Sequence, residues 1–350
     1  MERAIPTQLD SKFLFFVARR AVNAVITVIL MIALIFVIMH LVAPTPEDLA
    51  RLYVGPKFPP AELKLIAQRL GLTQPVYVQF VTYVTGFFRG NLGTDTIYGI
   101  PEILVIEEYF PVTLNMVLLG TLFGVLLGLF TGAIAASNRN TPTDYGVKAL
   151  YLGTWAAPPF LVGIVLQLFL GYGLHLLPTS NVANPVLNVP PPVTGFPLID
   201  SILAHDWTYL YSWTRHLILP AITIGLISFG SITRLTRATM VDALDKDYVK
   251  LAYMKGLRQR TVVWGTAFRN AIIPIVTLLA LTFAATVGGA VIVEDVFEYH
   301  GIGFFAVQAA YALDYPAILA ITVIVGFSVI IANFIADVLY GIMDPRVRLT

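Results

Sequence analysis

Apolar residues run in long blocks along this chain, separated by polar and proline-rich stretches. Six blocks are long enough, or nearly so, to carry about 20 residues of helix through a hydrocarbon layer roughly 30 Å thick. They fall near 15–41, 112–136, 147–174, 216–236, 271–293 and 316–341. The pattern predicts an all-α membrane protein with about six transmembrane helices. The first block follows Arg19 and Arg20, as in the n-region of a signal peptide. Its apolar run from Ala21 to Met39 holds only Asn23 and Thr27 as polar residues, and it is longer than an h-region of roughly 7–15 residues. His40-Leu41-Val42-Ala43-Pro44 offers no small-x-small cleavage site, so an uncleaved anchor helix is expected.

The blocks divide the chain into an N-terminal tail, first helix and outer segment (1–111), a five-helix core (112–341) and a short closing tail (342–350). Within the outer part of 43–111, Pro60 to Leu70 is amphipathic and ends at Gly71, a suitable helix C-cap. The insertion 175–215 carries Pro178, Pro185, Pro190, Pro191, Pro192 and Pro197, which predicts an extended, irregular first part. Both segments keep aromatic and aliphatic residues throughout and do not read as disordered.

Composition agrees with the pattern. The chain is 57% hydrophobic and 12% charged, with mean hydropathy +0.79; soluble domains are nearer half apolar and a quarter charged. The net charge of +1 implies no nucleic-acid partner. Its distribution is more informative. Putting the N-terminus, the 137–146 turn, 237–270, the C-terminus and the helix ends that border them (with Lys148 and Arg234) on one side gathers 16 of the 22 basic residues there and leaves 6 on the other. The positive-inside rule then makes both termini cytoplasmic, as an even number of spans requires. This leaves two long extracellular segments, 43–111 and 175–215. The chain has no cysteine, which excludes a disulfide framework and a thiolate metal site.

Several motifs sit inside the blocks. Gly120, Gly124, Gly128 and Gly132 share one helix face and allow another backbone to approach closely, as a fixed contact or a sliding one. Pro158-Pro159 interrupts the third block and Gly288-Gly289 loosens the fifth; both are read as lining a translocation path. Asn333 and Asp337 lie four apart near the end of the last block. Asp337 reads as a proton or ion relay, or else as an interhelical hydrogen bond or a helix-end pair with Arg346 or Arg348.

The region from Arg234 to Ile273 is charged and periodic. Met240, Leu244, Tyr248 and Ala252 recur every four residues and predict one apolar helical stripe, with Asp242, Asp245, Lys246 and Lys250 beside it. Gly256 is the expected stop, and a second helix from Arg260 to Ile272 precedes Pro274. Such helices between spans suit docking into a partner's groove or lying on anionic headgroups; the periodicity alone does not choose.

Asp247-Tyr248-Val249-x-x-Ala252-x-x-x-Gly256-Leu257 followed by Arg269-Asn270-Ala271-x-x-Pro274 resembles the cytoplasmic loop signature of binding-protein-dependent ABC importers, and more closely the dipeptide/oligopeptide permease family. Leu72-Thr73-Gln74-Pro75, Gly90-Asn91-Leu92-Gly93, Thr194-Gly195-Phe196-Pro197, Gly288-Gly289-Ala290-Val291 with Glu294, Gly301-Ile302-Gly303, Asp314-Tyr315-Pro316 and Asp344-Pro345-Arg346 extend that resemblance in order along nearly the whole chain. The chain departs from the family pattern at Asn91, where aspartate is usual, at Thr266, where histidine is common, and at Asp247, often glutamate.

The resemblance implies a permease subunit in the cell membrane of a prokaryote, multi-pass, paired with a second homologous permease. It also implies two ATPase subunits or domains that carry the ATP and Mg, and an extracellular solute-binding protein that delivers short peptides. Relatives of the same architecture carry oligosaccharides or nickel. The loop is then a coupling helix that sits in a cleft of the ATPase, with Asp247, Tyr248, Ala252, Lys255, Gly256, Leu257 and Arg258 as the contact residues. No cofactor is expected on this chain. It has no Gly-x-x-x-x-Gly-Lys-Ser/Thr loop, its five histidines lack metal-ligand spacing, and no catalytic constellation is present, so neither a metal site nor an enzyme is predicted. A stand-alone secondary transporter would show internal repeats or an intramembrane ion-pair series, and the sequence has neither.

Overall fold

A computed structural model of the chain describes residues 11–55 and 58–343. In order, its helices are α1 Ser11–Val42, α2 Pro46–Val54, α3 Pro60–Arg69, α4 Val76–Phe88, α5 Glu102–Ser137, α6 Pro142–Ala156, α7 Pro159–Leu166 continued by a π-helical turn Gln167–Gly173, α8 Pro197–Leu203, α9 Trp207–Leu244, α10 Asp247–Met254, the single turn α11 Gln259–Thr261 and a second π-helical turn Val262–Ala267, α12 Phe268–Val296, α13 Ile302–Ala312 and α14 Tyr315–Met343. Among the described residues there is no strand, only an isolated antiparallel bridge between Thr94 and Pro101.

Among the described residues, four helices are long and apolar enough to cross a membrane: α1, α5, α9 and α14. A fifth crossing is available if α6 and α7 together form one. The fifth predicted block, 271–293, falls in α12, which is 29 residues long and contains residues whose side chains lie outside the description. The multi-helix membrane architecture therefore stands.

Several boundaries differ from the sequence prediction. The second span begins at Glu102 rather than near 112 and carries Pro111 inside it. The fourth begins at Trp207, where Asp206 caps it by accepting from the Tyr209 N–H at 2.9 Å. It continues to Leu244 with Pro220 inside. The third block is not one continuous helix. Ala157 and Pro158 adopt extended backbone (ψ 132° and 140°), and α6 and α7 meet at 107°. A residue before proline is pushed out of the helical region, and two prolines in succession impose this twice. The Arg260–Ile272 helix is likewise not separate. The chain runs through the π-helical turn into α12 and past Pro274 without a stop.

The core of the bundle is the pair α5 and α9. The four glycines of α5 lie against α9 with almost no clearance. A Cβ on Gly120 would stand 2.9 Å from the Ala221 carbonyl, one on Gly124 2.8 Å from Ser228 Oγ, one on Gly128 2.7 Å from Ile232, and one on Gly132 2.6 Å from Thr236. The opposing Gly225 is equally tight against the Gly120 carbonyl, so both backbones are thin where they cross. At the end of α5 nearest Glu102, buried Glu294 of α12 accepts from Thr113 Oγ1 (2.5 Å) and from the Phe304 N–H (2.8 Å). Gly301 and Gly303 fold closely over it. On that side α2–α4 pack on the end of α1 and on α14. His40 bonds the Phe36 carbonyl and Gln79, and Gln79 in turn donates to the Leu72 and Gln74 carbonyls.

Candidate functional site

At the opposite end of α5 and α9 the chain makes a sharp elbow. Helix α9 ends at Leu244, the chain turns at Asp245-Lys246, and α10 starts at Asp247. The predicted single stripe is therefore divided. Met240 is fully buried on α9, whereas Tyr248 on α10 is 39% exposed. What α10 buries is Val249 and Ala252, one helical turn apart, in a cluster with Ala133 and Ala136 of α5, Met240 and Ala243 of α9, and Val262, Val263, Ala267 and Ala271 of the following segment. Small side chains at the contact let the short helix sit close on three others.

The other face of α10 is free among the described residues. Leu251 (52%), Tyr253 (45%), Met254 (83%) and Leu257 (43%) are exposed, and the exposed Asp247, Lys250, Lys255 and Arg258 surround them. Asp247 accepts from Lys250 Nζ at 2.9 Å, and that hydrogen bond holds its carboxyl below the usual range. Gly256 closes the helix in left-handed conformation, φ +75°. Its N–H bonds the Tyr253 carbonyl (2.9 Å) and the Leu257 N–H bonds that of Ala252 (3.3 Å), the two bonds of a Schellman cap. Nothing lies within 4 Å of the place a Cβ would occupy, so the backbone angle and not space calls for glycine here.

Of the seven contact residues expected from the family signature, Asp247, Tyr248, Lys255, Gly256, Leu257 and Arg258 lie on the accessible side. Ala252 does not. It is a packing residue pointing into the bundle, because a helix only two turns long can rest on the bundle through just one of its faces. Leu251, Tyr253 and Met254 were not singled out by the sequence reading. Leu251 and Met254, three apart, form a second apolar face with Tyr253 off to one side, and apolar residues on both faces of a short helix are the signal that could have found them.

The elbow is tied to neighbouring helices by charge. Asp144, fully buried in the first turn of α6, accepts from Arg237 Nε (2.6 Å) and Nη2 (2.8 Å) and from Lys148 Nζ (3.0 Å), and it also receives the Asn140 N–H. This fork joins the 137–146 turn to the end of α9, and nothing in the local pattern marks it, since its partners are 93 residues apart. Asp337 pairs with Arg20 of α1 at 3.0 Å. Arg346 and Arg348, the partners considered from sequence, lie outside the described residues, as does the rest of 344–350. Pro158 is exposed and Pro159 half-buried at the 107° break. Gly288 and Gly289 fall within α12, and their surroundings lie outside the described residues.

Comparison with known proteins agrees with this architecture. Residues 124–349 match the family described as binding-protein-dependent transport system inner membrane component, and residues 13–98 match the N-terminal family of the same membrane components. The chain is similar to the probable D,D-dipeptide transport system permease protein DdpB of Escherichia coli strain K12, at 36% identity covering 89% of this chain and 91% of the relative. It is also similar to the di/tripeptide transport system permease protein DppB of Pseudomonas aeruginosa strain UCBPP-PA14, at 35% over 96% and 99%, and to the oligopeptide transport system permease protein AppB of Bacillus subtilis strain 168, at 32% over 95% and 99%. With more than half of its length matched by one family model and nearly all of it by such relatives, the chain belongs to the family of binding-protein-dependent transport system inner membrane components.

Proposed function

We propose that this chain is one permease half of an ATP-driven importer of short peptides, with α10 as its coupling helix. The relatives' printed names carry the substrate class: dipeptides, di- and tripeptides, oligopeptides. The observation that carries the mechanism is the exposed face of α10 on a buried base. Tyr248, Leu251, Met254 and Leu257 enter a groove of the ATPase as anchors, and Asp247, Lys255 and Arg258 set the register. Ala252 and Val249 carry the load inward. When the ATPase dimer closes, α10 is pulled, and the pull reaches α5 and α9 through the small-residue cluster and α12 through the π-helical turn. The α5–α9 pair is too closely packed to shear within itself, so it moves as one body against its neighbours.

In this reading the chain crosses the membrane six times with both termini in the cytoplasm, which the distribution of basic residues supports, 16 on one side against 6. A second homologous permease completes the path, and the break at Pro158-Pro159 and the Gly288-Gly289 pair face it. Two ATPase subunits or domains hold ATP and Mg. An extracellular solute-binding protein docks on the outer segments 43–111 and 175–215 and hands over the peptide.

The chain has no cysteine, so a single one placed at Met254 gives an unambiguous reporter. In the assembled importer, Met254→Cys is expected to cross-link to the ATPase and to lose reactivity when nucleotide is trapped. A Met254→Cys chain labelled only by lipid-phase reagents, with no ATPase attached, would overturn the coupling assignment. Uptake of labelled dipeptides by the reconstituted complex, competed by peptides and not by sugars or nickel, tests the substrate class.

A further inference from the structure

At the end of α5 remote from the elbow, two acidic side chains seven residues apart meet a third from far along the chain. Asp95 comes from the loop after α4, Glu102 from the first turn of α5, and Asp314 from the residue preceding α14. One carboxylate oxygen of each lies within 4.8 Å of those of the other two. They are buried to 1%, 0% and 0% exposure. Beneath them are Val105, Ile106, Ile302, Phe305 and Ala317, an apolar floor that makes unbalanced charge costly.

Some of the oxygens are satisfied. Asp314 accepts from the Thr96 N–H (2.5 Å), Thr96 Oγ1 (2.6 Å) and the Ala317 N–H (3.1 Å), and Asp95 accepts from the Tyr98 N–H. The rest are not. Asp95 Oδ2 and both oxygens of Glu102 are buried without a hydrogen-bond partner. The ion pairs found among the described residues all lie elsewhere, on Asp337, Asp245, Asp144 and Asp247. The N-termini of α5 and α14 point here, and each contributes roughly half a positive charge, which is well short of three carboxylates. A fully buried glutamate with two unpartnered oxygens therefore faces two further acids with too little positive charge around it.

We infer that Asp95, Glu102 and Asp314 form a binding site for a hard divalent cation, of the size and chemistry of Ca2+. The donors are oxygen only, which suits Ca2+ or Mg2+ and not the metals drawn to sulfur or imidazole. Two oxygens bound to one Ca2+ at roughly 2.4 Å are at most about 4.8 Å apart, so the separations on hand can close on a single ion. Glu102, with both oxygens free, is suited to two-oxygen ligation, a habit of Ca2+ sites that the small and strictly octahedral Mg2+ seldom shares. The loop is shaped for the purpose. The Thr94–Pro101 bridge and the bonds from Asp95 N to the Ile100 carbonyl and from Glu102 N to the Gly93 carbonyl close it into a compact turn that brings Asp95 back over Glu102. The bound ion would pin the outer segment to the first turn of α5 and to the head of α14, joining three parts of the chain that otherwise meet through few polar contacts. The sequence reading, which sought histidine and cysteine spacing, predicted no metal site; Asp95 and Glu102 lie seven apart, but Asp314 is too remote in the chain for a spacing rule to join to them.

The test uses the full chain in nanodiscs of neutral phosphatidylcholine, stripped of divalent ions with a chelator, with empty nanodiscs as the blank. Equilibrium dialysis with radioactive Ca2+ is expected to give one ion per chain, and Ca2+ is expected to raise the thermal unfolding midpoint more than equal Mg2+. Glu102→Gln and Asp314→Asn should each weaken Ca2+ binding by about tenfold or more, since fewer charged ligands remain. Should either variant fail to fold, the wild-type chain still decides: Tb3+ luminescence excited through the neighbouring Tyr98 should appear and be displaced by Ca2+. Absence of stoichiometric binding at millimolar Ca2+ in the wild-type chain, or Ca2+ affinity unchanged in both folded variants, overturns the site and means that the carboxylates are neutralised by shared protons.

Discussion

The seam between α5 and α9 and the elbow at α10 both depend on glycine, for opposite physical reasons. In the seam, Gly120, Gly124, Gly128 and Gly132 have ordinary helical backbone and no room; any Cβ would overlap the facing helix. At the elbow, Gly256 has open space around it and a backbone angle, φ +75°, that side chains resist. The first use makes a rigid body by removing volume, and the second makes a turn by relaxing a torsion. Rigidity in the membrane with a shaped handle outside it is what transmitting force from another subunit requires.

Substitutions can break this comparison at either end. The largest loss of stability is expected where charge clamps the seam to α6. Asp144→Asn strands Arg237 and Lys148 beside a buried amide and should cost about 3 kcal/mol, as broken buried pairs do, seen as a lower midpoint in detergent and poor recovery of the complex. Next is Gly124→Ala, whose methyl group meets the Gly225 carbonyl and Ser228; overpacking of this kind costs about 2 kcal/mol. A Gly124→Ala chain as stable as the parent would show that the helices can separate, and the seam would then be a sliding contact.

Smaller still is Gly256→Ala, at about 1 kcal/mol for forcing alanine into the left-handed region. Gly256→Asn should recover most of that loss, because asparagine tolerates the angle. No comparable rescue exists in the seam, so the two variants together separate torsion from volume. Smallest in stability is the double change Leu251→Ser with Met254→Ser, within about 0.5 kcal/mol for exposed positions. Its functional effect should be the greatest of the four: a folded permease that no longer retains the ATPase or couples hydrolysis to uptake. If that variant transports normally, the exposed face of α10 is not the handle.

Much of this was legible from local pattern. The apolar blocks marked the long helices, the four-residue spacing placed the glycines of α5 on one face, and Gly256 was identified as a stop. Other features were misread where local rules compete. Pro158-Pro159 was read only as an interruption within one block, yet two successive residues held in extended backbone turn the chain by 107°. Pro274 was read as a boundary, yet it lies inside α12, since a membrane helix can tolerate a proline whose freed carbonyls are met by neighbours. The stripe from Met240 to Ala252 was read as one face of one helix, although Asp245-Lys246 divides it between two helices.

By itself the sequence determined what depends on neighbours within a few residues: which stretches are apolar enough for lipid, which face of α5 is thin, and where α10 must stop. Only the tertiary structure decided what depends on the path of the chain: that Ala252 faces inward while Leu251 and Met254 face out, that Asp144 holds Arg237, and that Asp95 and Glu102 meet Asp314 from the far end of the chain. Helical period and turn chemistry are short-range, set by hydrogen bonds and torsions of adjacent residues. A buried charge is matched with whatever the fold brings beside it, and no local rule specifies which distant residue that will be.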